Sequence, residues 1–321
     1  MEKVLIAKKQ SLGYSIKKKI HSSRFLILMI IPAIIYYVLF CYVPMYGVLI
    51  AFTRYSPRLG IIGSIGERWI GFDNFSFIFN YPGFWEAVKN TLIIGSLKIV
   101  ISFVSAVLVA LLINEIRMKY FKKTVQIIVT FPHFLSWVVV ASLFIMLLNN
   151  SGVINHLIEM SGGQKIKFFS DSKLFLGLIF GSDIWKEAGW SSIIYIATMA
   201  GISTDLYEAA DIDGATRLQK IWHITLPGIK PTAILLLIMS VGGVLSGGFD
   251  QIYNMTSQLN NAPVLKTVQI IDTLIYQSTF VSSSLTYGQS TAVGLFKSVV
   301  GFILVITTDR IAKLCGERGI I

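Results

Sequence analysis

Charge and cysteine are what this sequence has least of. Only 14% of its 321 residues are charged and only two are cysteine. Soluble domains carry about 25% charged residues. With 54% hydrophobic residues and a mean hydropathy of +0.68, a soluble enzyme, a disordered chain and a fibrous chain are all set aside. Two cysteines exclude a disulfide scaffold or a Cys-rich metal site. No G-x-x-x-x-G-K-[ST] run occurs, so a phosphate cradle and ATP hydrolysis by this chain are not expected. No G-x-S-x-G elbow occurs either. The four histidines (His21, His133, His156, His223) show no metal-ligand spacing with cysteines or carboxylates and read as structural or interfacial. No catalytic residue, metal ligand or bound cofactor is therefore assigned to this chain. No repeat of 20–50 residues is visible.

Long apolar runs are abundant. A spanning helix needs about 20 mostly apolar residues. Six stretches qualify: 25–52, 91–113, 125–148 with Pro132 as a kink, 174–201, 232–253 and 289–308. The first is too long for the h-region of a signal peptide, and no A-x-A site follows it. Lys98 lies inside the second span, Asp183, Lys186 and Glu187 inside the fourth, and Lys297 inside the sixth.

The net charge of +11 would point to nucleic acid in a soluble chain, but in a membrane protein Lys and Arg report topology. The tails and even-numbered loops carry seventeen Lys and Arg, and the opposite loops carry eight. Both termini are thus expected in the cytoplasm, with attraction to anionic lipid at the inner surface. No nucleic-acid partner is assigned. Residues 1–24 form a basic cytoplasmic tail, 25–308 the transmembrane domain and 309–321 a second cytoplasmic tail.

The first outer loop is aromatic: Trp69-Ile-Gly-Phe-Asp-Asn-Phe, then Phe77, Phe79, Tyr81, Phe84 and Trp85. Residues 73–89 read as one or two short interfacial helices, with a sugar-stacking platform as the alternative. The outer loop 254–288 is polar and long enough to cover the mouth of a cavity.

The informative inner loop is 205–231, DLYEAADIDGATRLQKIWHITLPGIKP. Asp205 and Glu208 have capping-box spacing, so a helix can start near Leu206. Gly214 suits a helix end needing φ > 0. Leu218, Ile221, Trp222 and Thr225 then share one face of a second helix, which Pro227 and Pro231 are expected to end. The product is a cytoplasmic helix–turn–helix whose apolar face must be buried in lipid or in a partner's groove.

This loop resembles the EAA motif of permease subunits of binding-protein-dependent ABC importers. Glu208-Ala209-Ala210, Asp213-Gly214-Ala215 and Ile224-Thr225-Leu226-Pro227 stand at the family spacing. One departure is Ile221, where sugar permeases more often have Phe; Trp222 beside it can fill the same groove. Trp185-Lys186-Glu187-Ala188-Gly189-Trp190 resembles the W-K-x-x-G-W/F run of carbohydrate permeases, and Phe249-Asp250-Gln251-Ile252-Tyr253-Asn254-Met255-Thr256 their F-D-x-I-Y-x-x-T run. Tyr36-Tyr37, Pro44-Met45-Tyr46-Gly47 and Ala51-Phe52 resemble the polysaccharide and lipo-oligosaccharide branch.

The resemblance implies an all-α integral membrane protein of the type I ABC importer permease fold, with six transmembrane helices and loop 205–231 as coupling loop. It implies a bacterial cytoplasmic membrane location and a saccharide substrate. The implied partners are a second homologous permease, two ATP-binding subunits holding ATP and Mg, and an external solute-binding protein. The coupling residues are then Glu208, Ala209, Ala210, Asp213, Gly214, Leu218, Ile221, Trp222, Leu226 and Pro227.

Substrate-lining candidates are Trp185, Glu187, Trp190, Asp250, Gln251, Tyr253 and Asn254. Glu187 and Trp190 are three apart on one helix face, and a sugar needs both stacking and hydrogen bonds. Alternatively Lys186 pairs with Glu187 or Asp183 to lower the cost of burial, and Glu187 and Asp250 serve as gates. Lys98 and Lys297 would suit an acidic saccharide, but can equally pair or snorkel. The glycines of the fifth span read as helix-packing positions. Two rival functions stay open: a permease of the same machinery for a non-sugar solute, and an ion-coupled secondary transporter, which predicts inverted repeats.

Overall fold

The computed structural model describes residues 24–245 and 248–314. The basic tail up to residue 23, Gly247 and the chain from 315 lie outside these residues. The chain divides into two compact units after Phe72. Among the described residues the structure is helical, apart from one isolated bridge between Thr53 and Trp69.

In the first unit, α1 (Arg24–Tyr37) continues through a π turn (Val38–Tyr42) and a helical turn (Val43–Met45) into a 3-10 stretch, Tyr46–Phe52. The apolar run Leu28–Phe52 is 25 residues long, enough to cross a bilayer. α2 (Gly60–Glu67) follows. Trp69 then stacks on Phe52 at 5.7 Å.

The second unit opens with α3 (Asp73–Phe79), a short helix within the aromatic loop; residues 84–89 open the long helix that follows rather than a second short one. The long α4 (Phe84–Asn114) and α8 (Ser172–Ala200) form its most extensive helix pair. Between them come α5 (Lys119–Thr130), α6 (Trp137–Leu148) and α7 (Val153–Met160). After α8 stand α9 (Thr204–Ile212), α10 (Arg217–Lys220) and α11 (Leu226–Gly242). The chain ends with α12 (Phe249–Met255), α13 (Ala262–Val268), α14 (Ile271–Tyr276) and α15 (Tyr287–Leu314). Small residues Ala106 and Ala110 of α4 let Tyr195 and Met199 of α8 pack closely, with Ile229 and Ala233 of α11 closing that cluster. A second core joins Phe175 and Ile179 of α8 to Ile252 and Met255 of α12 and to Val264 and Val268 of α13.

Among the described residues, five apolar helical stretches are long enough to span. The other expected span is α8. At 29 residues it is about 43 Å long, but it carries Asp183, Lys186 and Glu187. Asp183 and Lys186 are buried inside the protein, the usual answer to charge at membrane depth.

Three spans need correction. The third span does not run through a kinked 125–148. Its helix stops at Thr130, Phe131–Phe134 form a 3-10 turn around Pro132, and the apolar stretch runs instead from Trp137 to Met160. The fifth span begins earlier than Thr232. α10 passes through a π turn, Ile221–Thr225, into α11, so Pro227 and Pro231 do not end the second docking helix. Pro227 sits in the first turn of α11, and the π turn immediately precedes it because proline has no N–H to give. That span ends at Gly242 rather than Tyr253; Gly248, at φ +116°, restarts the chain as α12. The sixth helix continues to Leu314, past the expected span end at Thr308.

Candidate functional site

The run from Trp185 to Trp190 lies on α8, facing α5 and the turn after it. Gly189 makes the approach possible. A Cβ there would lie 2.0 Å from the Val129 carbonyl oxygen and 2.9 Å from the Thr130 nitrogen, so only glycine lets that backbone touch α8. The approach delivers the 131–134 turn to three neighbouring side chains. Lys186 Nζ donates to the His133 carbonyl at 2.7 Å. Glu187 Oε2 accepts from His133 Nδ1 at 2.7 Å, while its Oε1 is 3.0 Å from Lys186 Nζ. The His133 ring lies flat on Trp190, with centroids 4.4 Å apart and planes 3° apart. Lys186 does pair with Glu187, as the burial reading required, and the same carboxylate orients His133.

One turn earlier, Asp183 Oδ1 is 3.0 Å from Lys98 Nζ of α4, and Ser102 donates to Asp183 Oδ2 at 3.1 Å. Gln251 of α12 completes this group. Its Oε1 accepts from Lys98 Nζ, and its Nε2 donates to the Ile179 carbonyl at 2.6 Å and to Ser182 Oγ at 2.9 Å. Three helices are thus joined by one buried, charge-balanced cluster. Trp137 lies between the two groups, 6.0 Å from Lys98 Nζ and 5.5 Å from Lys186 Nζ, within cation–π range. Lys297 is also paired, 2.6 Å from Asp272. Neither Lys98 nor Lys297 stands as an unpaired cation awaiting an acidic group.

A cavity of about 500 Å³ opens beside these groups, between α4, α8 and α11. Its polar wall includes Lys98, Ser102, Ser191 and Ser240, and its aromatic wall Phe103, Trp190 and Tyr195. A mostly apolar hollow with a few converging polar groups is the usual form of a small-molecule site. Its third wall is Leu236, Leu237 and Ser240 of α11 with Gly243 and Val244 just beyond it; a Cβ on Gly95 would meet the Val244 carbonyl oxygen at 2.3 Å, so this glycine admits the segment past the helix end.

Of the seven substrate-lining candidates, Trp190 lines this cavity. Glu187 stands behind it, on His133. Trp185 meets Phe144 edge-on at 6.0 Å. Gln251 is fully buried within the Lys98 cluster. Tyr253 stacks on Phe249 at 5.4 Å and meets Tyr276 at 5.2 Å. Asp250 is exposed, and its carbonyl accepts from Asn254 at 2.7 Å.

The end of the Phe249–Thr256 run has a structural task. Ser257, Gln258 and Leu259 all take positive φ, 52°, 61° and 66°, a conformation unfavourable for non-glycine residues. Thr256 Oγ1 holds the turn by accepting from the Leu259 N–H at 3.2 Å. The segment beyond it is packed rather than loose. Asn90 of α4 donates to the Lys266 and Gln269 carbonyls, and Thr91 Oγ1 accepts from the Ile271 N–H.

The loop 205–231 has the expected helix–turn–helix form, with a different cap. Ser203, not Asp205, caps α9 by accepting from the Asp205 N–H. Gly214 takes φ +74°. The Ala215 N–H reaches the Ala210 carbonyl at 2.8 Å and the Gly214 N–H the Asp211 carbonyl at 3.2 Å, the paired bonds of a Schellman ending. Thr216 and Gln219 form the capping box of α10. Lys220 bridges to Asp211 at 2.6 Å, and Tyr207 hydroxyl pairs with Thr225 at 2.9 Å, so the two helices are tied together. Leu206, Ile212, Leu218 and Trp222 are left exposed.

Sequence reasoning missed His133 and set it aside as structural. Its partner Glu187 is 54 positions away, so no spacing rule could link them. Ser102 and Ser240, two serines among many, were likewise passed over.

Apolar spanning helices, a buried charge cluster beside a cavity, and an exposed helix–turn–helix together define a multi-pass membrane transport subunit. The match extends to family level: residues 106–315 match the binding-protein-dependent transport system inner membrane component family, and the chain belongs to it. It is 45% identical over 303 residues to the polygalacturonan/rhamnogalacturonan transport system permease protein YteP of Bacillus subtilis (strain 168), covering 94% of this chain and 92% of that protein. It is 41% identical to protein LplB of the same organism, covering 96% and 94%. Among solved structures it resembles a chain of a bacterial ABC transporter involved in the import of the acidic polysaccharide alginate, with a TM-score of 0.82, 36% identity, and 93% and 98% of the chains covered. A second structure of a bacterial alginate ABC transporter, in complex with an alginate pentasaccharide-bound periplasmic protein, gives a TM-score of 0.83 at 36% identity, covering 94% and 99%.

Proposed function

We propose that this chain is the transmembrane permease subunit of an ATP-driven importer that carries an oligosaccharide or polysaccharide across the bacterial cytoplasmic membrane by alternating access. An external solute-binding protein delivers the saccharide, a second homologous permease completes the pathway, and two ATP-binding subunits bind ATP and Mg. Both termini are cytoplasmic, where Lys and Arg concentrate. The observation that carries the reading is the cavity, in which the Trp190 ring offers a stacking surface among serine hydroxyls. Stacking with few hydrogen bonds holds a sugar loosely enough to release it. The names of the relatives, which concern saccharides, support the same substrate class.

The helix–turn–helix supplies the link to ATP. Leu206, Ile212, Leu218 and Trp222 stand exposed on rigidly tied helices, and an apolar helix surface outside the bilayer calls for a partner groove. In this reading Glu208, Ala209, Ala210, Asp213 and Gly214 form the first helix and its ending, and Ile221, Leu226 and Pro227 join the second to its span.

Trp190→Ala tests the reading in the assembled importer, reconstituted in proteoliposomes with loaded binding protein. Loss of one such contact should cost about 1–3 kcal/mol, seen as slower uptake or an altered choice of saccharide in a complex that still assembles. Unchanged uptake and choice would remove Trp190 from the path; failure to assemble would make it a packing residue.

A further inference from the structure

We infer that Glu187 and His133 are positioning residues that hold the Trp190 ring flat as a sugar platform. This rests on the proposed saccharide path and adds two residues to it. An indole turns readily about its second side-chain torsion, which has a broad profile. Trp190 is 44% exposed and lines an open hollow, so something must hold it. His133 covers one face in a stack 3° from parallel, and Phe134 meets the ring edge-on at 5.7 Å.

His133 is itself fixed at two points. Its carbonyl accepts from Lys186 and its Nδ1–H donates to Glu187. A carboxylate only accepts, so Glu187 also selects the tautomer with the proton on Nδ1. The imidazole plane, and with it the indole plane, follows from the position of Glu187. Glycine at 189 brings this turn within reach. The run W-K-x-x-G-W thus builds one device: Lys186 anchors the turn, Glu187 orients the imidazole, Gly189 admits the backbone and Trp190 presents the platform. A ring already held in its binding pose loses little freedom when a sugar stacks on it.

Epistasis in the reconstituted importer tests this, with rates normalised to assembled complex. His133→Ala and Glu187→Ala should each slow saccharide uptake by about three- to tenfold, the range an aromatic pair supplies. Neither should slow it further in a Trp190→Ala background. His133→Phe keeps a flat ring without needing a carboxylate, so it should restore most of the uptake lost in His133→Ala and make uptake indifferent to Glu187→Ala. Additive losses with Trp190→Ala would overturn the inference while leaving the saccharide path intact, as would a His133→Phe variant still sensitive to Glu187→Ala. Full uptake by Trp190→Ala would overturn both. Should His133→Ala not assemble, the His133→Phe and Glu187→Ala pair decides alone.

Discussion

Single residues here act through pairing. Asp183 is buried and Lys98 half-buried, and Lys98 bridges Asp183 to Gln251. Breaking a buried pair leaves one charge stranded, at a cost of about 3–5 kcal/mol, whereas replacing both partners with apolar groups is often neutral. Lys98→Met and Asp183→Asn should therefore each lower the unfolding midpoint of the purified complex, and Lys98→Met combined with Asp183→Leu should recover much of the loss. Single variants that melt with the parent protein would show that the cluster does not hold α4 to α8. The four residues Asp183, Lys186, Glu187 and Trp190 could be placed on one face of a helix by counting. Their partners could not: Lys98 lies 85 positions from Asp183, and His133 lies 53 to 57 positions from Lys186, Glu187 and Trp190, and pairing over such separations depends on how helices cross.

At the scale of elements, glycine and proline decide where helices stop. Gly214 was legible because a helix ending with φ > 0 favours glycine over any residue with a Cβ, and it stands at +74°. Gly214→Val should strain the turn by about 1–3 kcal/mol and break the tie between α9 and α10. The expected result is loss of substrate-stimulated ATPase activity in the assembled importer, while the external binding protein still loads sugar. Full stimulation in that variant would release Gly214 from its coupling role. The cap was misread because Ser203 and Asp205 both suit a helix start, and local geometry chose the serine. Pro227 reads as a stop, yet it starts a helix that is already running. Proline fits a first turn as well as it ends a last one, and the π turn absorbs the mismatch.

For the whole molecule, the chain is one part of a machine. It has an exposed helix–turn–helix and a cavity, and its sequence carries no phosphate loop. Reconstituted alone in liposomes with ATP and a candidate oligosaccharide, it should neither bind ATP tightly nor take up sugar. Uptake comparable to that of the full complex would contradict the proposed division of labour and favour an ion-coupled carrier.

The sequence by itself determined the class: apolar runs long enough to span, basic residues gathered in alternate loops, and a loop with glycine and two prolines at fixed offsets. These are local properties, set by bilayer thickness and backbone geometry, so they can be counted along the chain. Tertiary structure decided where the spans break and which polar groups meet. Pro132 and the glycines at 242, 243 and 248 are compatible with both a continuous span and a stop, so counting along the chain leaves the third and fifth spans unbroken. Contact with α8 and α4 settles the choice: the Val129 backbone fits against Gly189, and the Val244 carbonyl against Gly95. The first of these contacts brings His133 onto the face of Trp190 and the second sets Val244 in the cavity wall, because a side chain of one hydrogen lets a distant backbone come close and carry its neighbours with it.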